Sequence, residues 1–333
     1  MIERGALKGF GAALVIAAVI ACMFGHAWAQ KREPIPRVGM LTPVPTATAK
    51  PWWDGFREKM KELGYVEGKS VVYEYRSAEG QTDLLPQLVA ELVNLPVKVM
   101  VVANTSGNLA AKKATTTIPI VMVSVGDPVR VGLVSNLGRP GGNITGFTTL
   151  SGALAAKRFQ LLKELVPTAT RIGAIGNPGD PNVLIQIQDD ESAARALKVQ
   201  FRLFMVKDAA QLETAFEEAR AWRAQALMRL AAPLNVSLRA RTIELAAKNR
   251  IPFMYSSRAD VEAGGLIGYG VDILDSYKRA ADYVDRILKG AHPGALPVQQ
   301  PTKLELAVNL KAAEALSIKI PQAILVRADK VIE

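Results

Sequence analysis

The residue types that carry most nucleophilic, acid–base and metal chemistry are scarce in this chain. Its 333 residues include two histidines, His26 and His292, and one cysteine, Cys22. A metal centre of the His/Cys kind cannot be assembled from that stock. A hydroxyl nucleophile would depend on His292 for its base, and His292 sits in the turn-like run Gly290-Ala291-His292-Pro293-Gly294. Gly68-Lys69-Ser70 has the ending of a phosphate-binding loop, but the first glycine of that pattern would stand at Leu63, and a strand rather than a helix is expected next. Gly264, Gly265, Gly268 and Gly270 lack dinucleotide-loop spacing. Asp189, Asp190 and Glu191 cluster, and on a helix they read as a solvated face. No cofactor, metal or catalytic residue is called for, and the chemistry left to the chain is reversible binding.

Binding in open parallel α/β sheets takes place beyond the carboxyl ends of the strands, where loops and helix N-termini offer free N–H donors. Small and polar residues fall at such positions. Thr42 and Thr46 follow the first expected strand, Asn104, Thr105 and Ser106 the third, and Ser124, Gly126 and Asp127 the fourth. In the second half the matching loops hold Asn177 and Pro178, then Ala231, then Ser256 and Arg258. Arg258, just past a strand end, is the cation expected to meet a ligand carboxylate. Trp52 and Trp53 open the first helix and suit either an aromatic ligand or core and cleft-mouth packing.

The elements that must position these loops are legible as β-branched runs alternating with segments of helical period, the pattern of βαβ units. Strands are expected at Val38-Leu41, Val71-Tyr75, Val97-Val102 and Ile120-Val125, and after a Gly-rich passage at 139–143 the series resumes with Ile172-Ile175, Phe201-Val206, Ala226-Leu230 and Pro252-Tyr255. A short apolar run follows at Leu266-Gly270, and a last strand is expected at Leu304-Val308. The clearest amphipathic helix carries Ile273, Leu274, Tyr277, Ala280, Ala281, Val284, Ile287 and Leu288 and is closed by Gly290.

Composition agrees with a globular binder. Hydrophobic residues are 49% and charged residues 22%, which excludes disordered and disulfide-stapled classes. The net charge of +10 is spread out rather than gathered in runs, so nucleic acid is not an expected partner. Residues 1–29 read as an export signal, with Arg4 and Lys8 before an apolar stretch and Ala27-Trp28-Ala29 as the cleavage pattern. The apolar stretch is shorter than the roughly 20 residues that span a bilayer. Val19-Ile20-Ala21-Cys22 is a second processing pattern, a lipobox in which Cys22 would be acylated.

Several motifs together carry a family resemblance. Gly64-Tyr65-Val66-Glu67-Gly68-Lys69, Thr117-Ile118-Pro119-Ile120-Val121, Gly126-Asp127-Pro128-Val129, Arg139-Pro140-Gly141-Gly142-Asn143-Ile144-Thr145-Gly146 and Tyr269-Gly270-Val271-Asp272 resemble the bacterial ABC-transporter substrate-binding proteins of the tryptophan/tyrosine-binding type. The resemblance spans roughly residues 37–333. It implies the type I periplasmic-binding-protein fold: two Rossmann-like α/β lobes with parallel sheets, joined by three crossovers near Phe147, Gly270 and Pro301. Lobe 1 would hold 35–147 plus 272–300 and lobe 2 would hold 148–271 plus 301–333, with Asp272 at the cleft. It further implies a periplasmic monomer that grips a small-molecule ligand and serves an inner-membrane ABC permease with its cytoplasmic ATPase. A sensor or an orphan binder would use the same cleft, and a secreted enzyme is the remaining alternative. One departure stands out: Leu230-Ala231-Ala232-Pro233 replaces the polar loop with which amino-acid binders of this type meet an ammonium group.

Overall fold

The computed structural model describes residues 34–333, so the export signal and Cys22 lie outside the described residues. Pro36–Glu333 forms one compact unit containing two sheets. The first sheet comprises β1 (Arg37–Thr42), β2 (Val72–Ser77), β3 (Val97–Ala103), β4 (Ile120–Val125) and β5 (Ile144–Thr148), in the order β2-β1-β3-β4-β5 and parallel throughout. Its inner strands are covered on both faces, which is why they read as unbroken apolar runs such as Val99-Met100-Val101-Val102. Trp53, Phe56 and Met60 of α1 (Thr46–Glu62) cover one face, and Leu85, Val89 and Leu92 of α2 (Leu85–Val93) with Ala111 of α3 (Thr105–Ala114) cover the other.

The second sheet contains β6 (Arg171–Gly176), β7 (Gln200–Met205), β8 (Ala226–Arg229), β9 (Phe253–Tyr255), β10 (Ile267–Val271), β11 (Leu304–Asn309) and β12 (Lys330–Ile332), in the order β12-β11-β10-β9-β8-β6-β7. One face packs on α4 (Ala155–Leu165) and α5 (Pro181–Ala196), the other on α6 (Ala210–Ala221) and, beyond the short α7 (Pro233–Ser237), on α8 (Arg239–Lys248). The short α9 (Arg258–Glu262) follows β9. Helix α10 (Ile273–Leu288) returns to the first sheet, where Tyr277, Ala280 and Val284 pack beside Trp53. The rings of Trp53 and Tyr277 meet edge-on with centroids 4.8 Å apart. Helices α11 (Leu310–Ala315) and α12 (Gln322–Arg327) close the second lobe.

The chain therefore passes between the sheets three times: after Thr148, at Asp272 and between Gln299 and Leu304. The first and third passages pair, with Gln299 N–H donating to Gly146 O at 2.8 Å and Thr148 N–H to Gln299 O at 3.0 Å. The third passage also reverses a direction. β10 runs toward the edge that faces the first sheet and leaves the lobe there. A chain that re-enters at that same edge must run back, so β11 pairs antiparallel with β10, and β12 follows β11. The second sheet is thus parallel except for these two strands. Three strands lie outside the expected set: β5, β12 and β10, whose residues read only as a short apolar run. β5 was hidden by the glycines around it, and β12 is a three-residue edge. Among the described residues no helix is long and apolar enough to cross a membrane.

Gly146 shows why β5 needs its glycine. Its φ is +129°, and a Cβ there would stand 2.2 Å from Met122 O on the neighbouring strand, where the β4–β5 register shifts. Gly146→Ala is expected to destabilise the protein by about 2 kcal/mol or more, read as a lower urea midpoint at unchanged slope. An unchanged midpoint would mean that β5 does not depend on this close approach.

Candidate functional site

The strand ends of the two sheets confront each other across a cavity of about 460 Å³. From the first lobe Asn104 after β3, Ser124 in β4 and Val44, Pro51 and Trp52 around the start of α1 line it. From the second come Asn182, Ala231, Ala232, Ser256, Ser257 and Arg258, with Asp272, Leu274 and Tyr277 at the crossing into α10. Trp52 lines the cavity whereas Trp53 is 1% exposed and belongs to the core, so the adjacent pair is divided between the two roles.

Backbone strain concentrates on the first-lobe wall. Asn104 has φ +62° and ψ 163°, and Ser124 has φ +56°, conformations that cost a non-glycine residue about 1–3 kcal/mol. Asn108 holds Asn104 in place, its Nδ2 donating to the carbonyls of Asn104 and Val102 at 2.8 Å each. The Ser124 hydroxyl is buried and has no hydrogen-bond partner among the described residues.

Charge concentrates on the second-lobe wall, and most of it is already neutralised. Arg229, 2% exposed, and Arg239 share the carboxylate of Asp260, to which Ser257 Oγ also donates at 2.8 Å. Burial alone would raise Asp260, but the two guanidinium groups and the hydroxyl outweigh it and hold the carboxyl below its usual range. Arg258 donates from Nε to Glu262 at 2.7 Å, and its Nη1 lies 3.7 Å from Glu305, which also takes Lys303 at 3.0 Å. Two charged lining residues have no opposite charge within 4 Å among the described residues: Arg158 and Asp272. Arg158 is 4% exposed and donates from Nε to Tyr269 O at 3.0 Å. Its Nη2 lies against Gly270, where a Cβ would come within 3.6 Å. Asp272 caps α10 by accepting from Asp275 N–H at 3.2 Å. Arg158 thus contacts the last residues of β10, Asp272 follows them in the chain, and both line the cavity.

Of the residues singled out in the sequence, Asn104, Ser124, Ala231, Ser256, Arg258 and Asp272 line the cavity. The others do not, and most have a local partner. Thr42 is fully buried and accepts from Val44 N–H, Thr46 is engaged with Glu79, and Thr105 Oγ1 accepts from Gly126 N–H at 3.3 Å. Ser106 Oγ is buried without a partner. Gly126 faces Asn182, leaving no room for a Cβ. Asp127 closes its own turn on Val129 and Arg130, as Asn177 does on Gly179, with Pro178 between them. The acidic cluster also departs from expectation: Glu191 is exposed and Asp189 pairs with Arg130, but Asp190 is 2% exposed. Helical period turns adjacent residues by about 100°, so one of three can point inward.

Sequence reasoning passed over Arg158, Arg229 and Arg239. A signal existed for two of them. Arg229 interrupts the apolar strand Ala226-Leu227-Met228-Arg229-Leu230, and Arg158 takes a place among Ala155, Phe159, Leu162 and Leu165 on the buried face of α4. A charge at an apolar position is costly unless the site uses it.

Two α/β lobes, three passages between them and a cavity between opposed strand ends define the type I periplasmic-binding-protein fold. Residues 37–332 match the family of ABC transporter substrate binding proteins, and the chain belongs to it. The family is one of extracytoplasmic binding proteins rather than enzymes. The chain is 26% identical over 265 residues to a tyrosine-binding protein of Clostridioides difficile, covering 80% of this chain and 76% of that one. A conserved domain protein from Vibrio cholerae superposes with a TM-score of 0.85 at 30% identity, over 90% of this chain and all of that one. An ABC domain from Streptococcus pneumonia in complex with L-Trp superposes with a TM-score of 0.83 at 24% identity, over 90% and 100% of the two chains.

Asp260→Asn leaves Arg229 buried without its counter-charge and is expected to cost about 3–5 kcal/mol near neutral pH. Because the carboxyl is held below its unfolded value of about 3.9, the contribution is complete above that pH and is lost only as pH falls below it. Urea denaturation of both proteins across pH should show the gap closing on the acid side. A gap that stays constant in acid would assign the loss to packing instead.

Proposed function

We propose that this protein captures a small carboxylate-bearing metabolite with an aromatic body between its lobes and delivers it to an inner-membrane ABC permease driven by a cytoplasmic ATPase. It would do so as a periplasmic monomer after removal of residues 1–29, or anchored through Cys22. The observation that carries the reading is Arg158: a buried guanidinium at the cavity wall with no carboxylate within 4 Å among the described residues. An arginine stays charged inside a protein, and an unpaired buried charge is a standing cost that a bound anion relieves. Asp272, which lines the same cavity, supplies the acceptor for an ammonium group that the Ala231-Ala232 loop lacks, so a zwitterionic ligand finds both charges met. Trp52, Pro51, Tyr277 and Val44 offer the apolar surface that an aromatic side chain would bury. The tyrosine-binding relative supports the same class of ligand.

The magnitudes are adequate. Micromolar affinity is about −8 kcal/mol. Hydrogen bonds to a charged group contribute about 1.5–3 kcal/mol each, and a buried ring adds a similar amount. Arg258, committed to Glu262, is the weaker anchor. L-tyrosine, L-tryptophan and their des-amino acids should be screened by thermal shift and calorimetry. Ligand at 100 times its Kd is expected to add about 2.7 kcal/mol to stability. Arg158→Gln should weaken binding by about 10- to 150-fold, while Arg258→Gln should change it less than Arg158→Gln. Failure of a broad panel of aromatic and carboxylate metabolites to shift the melting temperature would overturn the reading.

A further inference from the structure

Arg158 has a neighbour that the binding site does not use. Asp190 lies on α5, which packs against α4, and it is 2% exposed. Its Oδ2 is buried and unpartnered among the described residues, and neither carboxyl oxygen makes a hydrogen bond there. α4 brings buried Arg158 into the same helix layer, though no contact within 4 Å joins the two. The other elements packed on α5 supply no substitute. The turn at Ser151–Leu154 is uncharged, Arg202 of β7 is turned to Glu218, Lys112 of α3 donates to the carbonyls of Gly132 and Leu133, and Lys113 is exposed. On its own helix Asp189, engaged with Arg130, adds negative charge. Two opposite charges are therefore buried in one layer, each without a hydrogen-bonded counter-ion, and one of them opens onto the ligand cavity.

We propose that Asp190 is the resident counter-charge of Arg158, that an incoming ligand carboxylate takes over this role, and that Asp190 binds a proton as the exchange occurs. The inference rests on the reading of Arg158 as the carboxylate anchor. Arg158 can balance one carboxylate at a time, so a ligand carboxylate and Asp190 in the same buried layer repel each other, and a proton on Asp190 relieves that repulsion. Burial pushes the Asp190 carboxyl up to about 7, with Arg158 opposing and Asp189 assisting the rise, which places the exchange near neutral pH. The sign follows from linkage. A ligand that favours protonated Asp190 binds more tightly as pH falls through that region and takes up a proton from the buffer. Asp190 acts through Arg158 and is a positioning residue.

Two measurements test it. In the ligand-free protein, the carboxyl carbon of Asp190 followed by NMR should titrate near pH 7, and Arg158→Gln should move that midpoint upward. A midpoint below about 5, or one that Arg158→Gln leaves in place, overturns the proposal whatever the ligand does. Calorimetry with L-tyrosine as the probe, in phosphate and in Tris at the same neutral pH, should give heats that differ by an uptake of up to one proton per ligand. In Asp190→Asn the difference should vanish while binding persists. Buffer-independent heats in the wild type, or an uptake that survives Asp190→Asn, would also overturn it. No heat with L-tyrosine in either protein would count against the aromatic-ligand reading, and the Asp190 midpoint would then decide the exchange by itself.

Discussion

A guanidinium that is 4% exposed, bonded through one nitrogen to a carbonyl and left with no carboxylate within 4 Å among the described residues, is the constraint on which this architecture turns. A charge so placed is expensive in a folded chain, and the same wall shows how the protein treats charges that serve stability alone. Arg229 and Arg239 are locked on Asp260, and Arg258 on Glu262. Arg158 is excepted from that rule. The exception falls where two lobes meet, at the ends of strands whose opposite numbers, Asn104 and Ser124, hold strained backbone. Unpaired charge on one wall and stored strain on the other are both costs that a bound molecule can offset.

The fold brings these walls together by its connectivity. Three passages between the sheets put β10, α10 and β11 at the junction, where Arg158 bonds to the end of β10 and Asp272 caps α10. Pairing of the passages at Gly146, Thr148 and Gln299 keeps them close, and reversal of β11 is the geometric consequence of leaving and re-entering a lobe at one edge. A ligand in the cavity touches both lobes, and binding energy gained only with both in place favours the closed arrangement.

Much of this was legible in the residues. Alternating β-branched runs and helical stripes located nine of the twelve strands and the long helix α10. β5 was lost because Gly146, needed for close approach to Met122, looks like loop punctuation. At the site, polar strand-end residues were readable from topology alone, which brought Asn104, Ser124 and Ser256 into view, while Asp272 came only with the family motif. Topology places a loop at a cleft but does not say whether its side chain turns inward or closes its own turn, as Asp127 and Asn177 do. Arg158 and Asp190 were missed for a related reason. Each stands in an ordinary helix, and only the three-dimensional packing of α4 on α5 reveals which face is buried and which charge lacks a partner.

The most direct test of the account is the structure of the protein with a bound carboxylate metabolite. The account predicts the ligand's carboxylate within hydrogen-bond reach of the Arg158 terminal nitrogens, with its body against Trp52 and Tyr277. A ligand held elsewhere, or one held in the cavity while Arg158 forms an ion pair with a protein carboxylate, would contradict it.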